Sequence, residues 1–460
     1  MLTRVLIMEI LSVALASGGD FSEVFIEDSI NNNLNMINGS LENALTGRDY
    51  GIGIRIFSGL ESVYGYTSLK DREGLLELAR KLSRALSTKK QLNRDIIFKE
   101  FIPANIHKIL EVPSSTRNIR KLKVMNIADK VARSYSKDIK QTAIYYRDVD
   151  QRICIANSDG LYTEDRRIRT RLGISSVASD GIENQTGLEA PGSRMGIEMF
   201  DTVDPEYFAS EASRVASLML KAKPCPGGKM MVAIDKGFGG VIFHEACGHA
   251  LEATAVAKGN SIFANKLGER IASNKVTALD DGTMANEWGS LNIDDEGIPT
   301  TRKILIEKGI LKGYMIDSLN GRRMGMAPTG SSRRESYRFA PTSRMTNTYI
   351  DKGEDEEKAI IASMEYGLYA KKMGGGSVNP ITGEFNFAVR EGYIVRKGNI
   401  EEPVRGATLI GNGSEILMNI DMVGKNMKMG QGMCGSVSGS IPTNVGQPMI
   451  RVSEITVGGR

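Results

Sequence analysis

Two prolines and two glycines fall within six residues at Lys223-Pro-Cys-Pro-Gly-Gly228. Proline lacks a backbone N–H and fixes φ, and glycine is entropically costly in regular structure. Neither a helix nor a central strand can run through this string. The break falls near the middle of a 460-residue chain, and a chain of that length is expected to build more than one core. We therefore expect one domain over residues 1–223, divisible into units at 1–90 and 91–223, and a second over residues 224–460.

Upstream of the break, helix and strand patterns mix. The opening MLTRVLIMEILSVALASGG has the basic residue, apolar run and small residues of an export signal. Glu9 interrupts that run, which points instead to an amphipathic helix ending at Gly18-Gly19. Ser22-Glu-Val-Phe-Ile-Glu27 and Gly51-Ile-Gly-Ile-Arg-Ile-Phe57 alternate like strands, the second leading into a hairpin at Ser58-Gly59. Helices are expected over residues 71–86 and 116–136, and from the Asp204-Pro205 cap to about residue 223. Strands are expected at 141–146, 152–156 and 161–171, with a turn at Asn157-Ser-Asp-Gly160. The densest basic patch, residues 117–123 (RNIRKLK), reads as the solvated face of a helix.

Downstream, short alternating segments at 303–307, 385–390 and 392–396 are separated by glycine turns, the pattern of an antiparallel sheet or barrel. Helical candidates there are few: one around HEACGH and one ending over residues 366–373, stopped by Gly374-Gly-Gly376. The expected fold class is α+β, with mixed α/β layers first and a largely antiparallel sheet or barrel carrying a metal-binding helix second.

Composition narrows the function classes. Hydrophobic content of 41% with 25% charged residues is that of a soluble globular protein. A net charge of +4 spread along the chain gives no nucleic-acid footprint. No apolar run reaches 18 residues, so no membrane span is expected. Cys154, Cys225, Cys247 and Cys434 form no CxxC pair and no disulfide scaffold, which suits the cytoplasm. Lys236-Gly-Phe-Gly-Gly240 completes neither nucleotide-binding glycine motif.

The chemistry concentrates in Val241-Ile-Phe-His-Glu-Ala-Cys-Gly-His-Ala-Leu-Glu252, which holds two of the three histidines. Two imidazoles with a carboxylate beside the first are the minimal kit for zinc hydrolysis: neutral nitrogen ligands, and a base for a proton. Zinc peptidases usually space their histidines four apart, whereas His244 and His249 are five apart. At about 100° per residue, positions five apart diverge by about 140° on a regular helix. A π-type turn would realign them, and Gly248 is placed to relax the backbone there. A catalytic zinc needs a third protein ligand and an open position. Cys247 is the local candidate and Cys434 the distant one, in Gly430-Gln-Gly-Met-Cys-Gly435, whose glycines would let a loop approach a metal closely. His107, with no partner nearby in sequence, reads as an ordinary loop or cap residue.

HEACGHALE resembles the TldD/PmbA family of metallopeptidases, first called modulators of DNA gyrase. So do SYRFAPTSRMTNT (336–348), GGGSV (374–378), GATLIGNG (406–413) and GMCG (432–435). The resemblance extends to the N-terminal Ser22-Glu-Val and Gly51-Ile-Gly-Ile-Arg55 signatures. It implies a two-domain cytoplasmic protein with one zinc ion per chain, held by His244, His249 and Cys434, with Glu245 as catalytic base. It also implies the TldD-like branch, since the PmbA-like (TldE) branch has lost the motif that is intact here. Such subunits pair with a metal-free paralogue, or with a second copy, around a cavity that admits unfolded peptides. Tyr337, Arg338, Arg344 and Asn347 are then candidate donors to substrate, against the alternative of an ordinary hydrogen-bonded hairpin. The strip Gly374, Gly375, Gly376, Ser377 and Val378 would pair with an extended substrate through main-chain bonds. A non-catalytic peptide-binding or regulatory subunit of such a complex is the competing reading.

Overall fold

The computed structural model describes residues 2–86, 95–379 and 381–459. In the first half, Glu61–Thr67, Ser40–Ser58, Phe21–Ile37, Ile139–Asn157 and Leu161–Ser179 form one antiparallel sheet in that order. Phe21–Ile37 pairs with Ile139–Asn157 over most of its length, so the sheet is continuous across the two expected subunits. Their boundary at residue 90 lies outside the described residues. Helices Arg4–Leu15 and Arg72–Ala85 bury Ile7, Ile10, Leu75 and Ala79 against one end of the sheet. Asn118–Ser134 and Pro205–Lys221 bury Met125, Ala128, Ala209 and Ala212 against the other.

Local chemistry explains the helix ends. The Asp71 carboxylate accepts from the Gly74 N–H, and Asp204 accepts from the Glu206 N–H with Pro205 at the first helical position. The basic patch differs from its expected role. Lys121 points inward, is 1% exposed, and pairs with Asp148 at 2.6 Å. A buried ammonium needs such a carboxylate, so the patch is not wholly solvated.

In the second half, Gly228–Ile234, Ile450–Gly458, Thr408–Asn412, Glu384–Arg396 and Tyr366–Val378 pair in succession. Tyr366–Val378 then pairs in parallel with Gly228–Ile234, closing a five-stranded barrel. The expected helix ending at residues 366–373 is therefore a strand, and Gly374-Gly-Gly376 continues it. A short apolar run fits helix or strand equally by pattern. Here the parallel pairing with Met231–Ile234 decides. A second sheet, containing Ala278–Asp281, Asn347–Ile350 and the hairpin of Lys428–Ser436 with Gly439–Gln447, packs beside the barrel.

The halves meet across buried ion pairs. Arg55 lies between Glu23 and Glu296 at 2.8 and 2.7 Å, Arg334 reaches Glu23 at 2.8 Å, and Arg167 reaches Asp295 at 2.6 Å. Such pairs add little net stability, but removing one partner costs about 3–5 kcal/mol, so they fix how the halves sit.

Candidate metal centre

The segment between barrel and second sheet changes helix type twice in eleven residues. Val241–Phe243 is α-helical, His244–Gly248 is π-helical and His249–Leu251 is a 3-10 turn. The His249 N–H donates to the His244 carbonyl, the i→i+5 bond of a widened turn. The expected insertion is present, and it brings the two imidazoles edge to face, with centroids 5.0 Å apart and planes at 84°. Gly248 plays a different part from the one expected. Its φ of −53° is ordinary helical backbone, but a Cβ there would lie 2.3 Å from Met345 Sδ. Glycine thus makes room for the Met345 side chain rather than supplying backbone freedom.

Cys434 arrives from 190 residues away. Its Sγ lies 3.3 Å from His244 Nε2 and 3.3 Å from His249 Nε2. The three ligand-type atoms sit within 4.8 Å of one another. Cys434 is on the Lys428–Ser436 strand opposite Ile441, not in a loop. That strand is held from outside. Trp288 Nε1 donates to the Gly432 carbonyl at 2.8 Å, and the fully buried Arg344 donates to the Cys434 carbonyl at 2.5 Å and to Gly439 O at 3.0 Å. Cys247 instead lies in the barrel core beside Phe243 and Ala250, where burial pushes its thiol up.

The donor set suits zinc. Tetrahedral zinc with bonds of about 2.0 Å to nitrogen and about 2.3 Å to sulfur places a nitrogen and a sulfur ligand about 3.5 Å apart, near the 3.3 Å of both sulfur–nitrogen pairs here. Burial raises the Cys434 thiol, but the adjacent His244 and His249 imidazoles outweigh it and hold it down at about 3. Cys434 thus presents an anionic sulfur, the form that ligates metals. For His249, burial acts downward, while Glu252 and the sulfur outweigh it and raise its pKa well above the usual imidazole range.

Comparison with known proteins identifies the family. The PmbA/TldA metallopeptidase C-terminal domain matches residues 227–459, the central domain 113–220 and domain 1 residues 22–86. A metalloprotease TldD homolog from Haemophilus influenzae is 35% identical over 448 residues, covering 96% of this chain and 93% of its own. The chain belongs to the PmbA/TldD family of metallopeptidases. A family relative from Saccharolobus solfataricus, named a zinc metalloprotease TldD homolog, is 30% identical over 70% of this chain and 72% of its own. Among solved structures, a candidate modulator of a DNA gyrase from Thermotoga maritima superposes with a TM-score of 0.79 at 21% identity, covering 99% of this chain and 100% of its own. TldE from Thermococcus kodakarensis does so with a TM-score of 0.76 at 18% identity, covering 99% and 100%. Both likenesses concern the fold.

Within this PmbA/TldD chain, the other expected site residues divide. Glu245 lines a cleft of about 670 Å³ together with His249 and Cys434, its Oε2 3.7 Å from His249 Nε2. Gly376, Ser377 and Val378 form part of the same cleft wall. They pair with Phe385–Phe387 on one edge and with no strand on the other among the described residues. Gly374 and Gly375 sit at the strand irregularity next to them, outside the cleft lining.

Tyr337 and Arg338 are not brought there. The Tyr337 N–H donates to Glu27 at 2.8 Å and Arg338 donates to Asp49 at 2.9 Å, both across the seam between the halves. Asn347 is buried, donating to the Asp281 carbonyl and to Ser290 Oγ at 2.7 Å. Arg344 braces Cys434 from behind rather than facing the cleft. His107 is buried, its Nδ1 accepting from the Asn286 N–H at 3.0 Å.

Sequence reasoning missed Glu252. Its Oε2 lies 3.2 Å from His249 Nδ1, and its Oε1 lies 3.8 Å from Arg344 Nε. The signal was a carboxylate three residues after a candidate ligand. A carboxylate on the far ring nitrogen fixes the tautomer and orientation of a ligating histidine. Glu252→Gln is expected to weaken zinc binding about 10–100-fold, as such partners generally do. Competition with a chromophoric chelator measures it, and unchanged affinity would contradict the role.

Proposed function

We propose that this chain is a zinc-dependent peptidase acting on unstructured polypeptides. The observation that carries this reading is the convergence of His244, His249 and Cys434 at a cleft bordered by a strand edge that has no partner among the described residues. His244 Nε2, His249 Nε2 and Cys434 Sγ would hold one zinc ion, which when bound would polarise a carbonyl and acidify water. Glu252 holds the His249 ring, and Arg344 holds the sulfur-bearing strand. Glu245, on the cleft side of the histidines, takes up the proton and passes it to the leaving amine.

The edge at Gly376–Val378 binds the backbone of an extended chain by strand addition. Main-chain bonding reads no side chain, so many sequences are accepted. Folded proteins have their strands already paired and are refused. The partner we infer is a metal-free paralogue of the same fold, or a second copy of this chain. The compartment we infer is the cytoplasm, which suits four buried, unpaired cysteines. Among the described residues, no helix is long and apolar enough to cross a membrane.

Metal removal tests the reading. Chelator-treated protein is expected to lose at least about 100-fold of its activity on casein, since both Lewis-acid and nucleophile chemistry go with the ion. One equivalent of zinc per chain should restore it. A chelated, metal-free protein that digests casein at the full rate would sink the proposal.

A further inference from the structure

The cleft carries one charged group that the peptidase reading leaves without work. Its charged and ionisable lining comprises Glu245, Glu252, His249, Cys434 and Lys258. The first four belong to the centre and its support, whereas Lys258 lines the cleft from just after the short Ala253–Val256 helix. Lys258 is exposed, and among the described residues its ammonium makes no ion pair. Elsewhere in the second half many lysines are paired: Lys229 with Glu454, Lys236 with Glu357, Lys303 with Asp280, Lys371 with Glu391 and Lys425 with Glu356. An unpaired cation on the wall of a concave site focuses its field into that site.

We propose, on the basis of the peptidase reading's cleft, that Lys258 is a specificity-determining residue that favours polypeptides carrying a carboxylate. Backbone pairing at Gly376–Val378 fixes the register of an extended peptide, so successive side chains fall at defined places along the cleft. One of those places faces the Lys258 ammonium. Val378, Ile381 and Met433 in the same lining are apolar, and Asn260, Ser377 and Ser436 can add neutral hydrogen bonds to a carboxylate, which leaves Lys258 as the one side chain there that carries a fixed positive charge. The carboxylate has two sources, an aspartate or glutamate side chain or the peptide's own C-terminus.

Binding tests this without relying on turnover. Fluorescence anisotropy on the full-length Glu245→Gln protein would compare extended peptides carrying one glutamate, moved along the sequence, with their glutamine counterparts. Each would be made with a free and an amidated C-terminus. The zinc-loaded protein is expected to bind the best-placed glutamate peptide about threefold to fivefold tighter than its glutamine twin, the scale of a partly solvated ion pair. Lys258→Met should bring that ratio to about one, Lys258→Glu should invert it, and Lys258→Arg should keep it. A ratio that follows the glutamate's position assigns the side chain, and one that follows the free terminus assigns the C-terminus; either supports the proposal.

A ratio of one in the Glu245→Gln protein with Lys258 intact, or a preference unchanged in Lys258→Glu, overturns it. So does a preference that survives Lys258→Glu but disappears with chelator, which would put the carboxylate on the metal instead. Peptides that bind with the expected preference but are not cleaved by the zinc-loaded wild-type chain would overturn the peptidase reading and leave this one standing.

Discussion

Glu245→Gln is expected to abolish peptide hydrolysis while leaving zinc content at the wild-type level. The amide fills the same volume in the same cleft but cannot take up a proton. Proton transfer by a positioned side chain is worth about 10²–10⁴ in rate, and kcat should fall by that factor with KM little changed. Glu245 is not among the three atoms gathered into the metal cluster, so metal analysis should show no loss. The carboxylate also lies too far from His249 Nε2, at 3.7 Å, to be its chief support, which falls to Glu252 at 3.2 Å. Full activity in this variant would remove Glu245 from the mechanism, and coincident loss of zinc would make it a metal-site residue instead.

The second large effect separates two cysteines. Cys434→Ala is expected to lower zinc affinity by at least about a thousandfold, because apparent zinc binding energies of about 10–16 kcal/mol are shared among few ligands. Cys247→Ala, within the barrel core, is expected to keep stoichiometric zinc and lose only about 1–2 kcal/mol of stability from the small void. Zinc content by atomic emission, read beside thermal melting, distinguishes the two. The opposite pattern, with zinc lost in Cys247→Ala and kept in Cys434→Ala, would refute the ligand assignment.

Local features of the centre were legible in the chain because they are matters of short-range register. Histidines five apart require an extra residue in the turn, and the π-helical His244–Gly248 is that residue's consequence. The choice between Cys247 and Cys434 was not legible in spacing, since nothing local reports a partner 190 residues away; the glycines around Cys434 made it a candidate, and only family resemblance favoured it over Cys247. The helix cap at Asp204 followed from its own side chain and the proline after it. The strand at Tyr366–Val378 did not, because its identity comes from a parallel partner, Met231–Ile234, far upstream. In the sequence, Arg344 reads as a substrate donor because it lies in the 336–348 segment that carries the family resemblance. Its hydrogen bonds to Cys434 O, Gly439 O and Ser438 Oγ give it a bracing role that no residue pattern encodes.

The distance between His244 and Cys434 along the chain also sets when the centre can exist. Closing a loop of 190 residues costs on the order of 5 kcal/mol of chain entropy, so contacts that require it form late. Both histidines, Glu245, Glu252 and Arg344 precede residue 427, whereas the sulfur enters with the Lys428–Ser436 strand. On the proposed ligand set, a partly folded chain without that hairpin carries an incomplete ligand set. Proteolytic competence would therefore be acquired only after the barrel and its neighbouring sheet have docked. That delay would shield the unfolded remainder of the chain, itself an unstructured polypeptide, from its own centre.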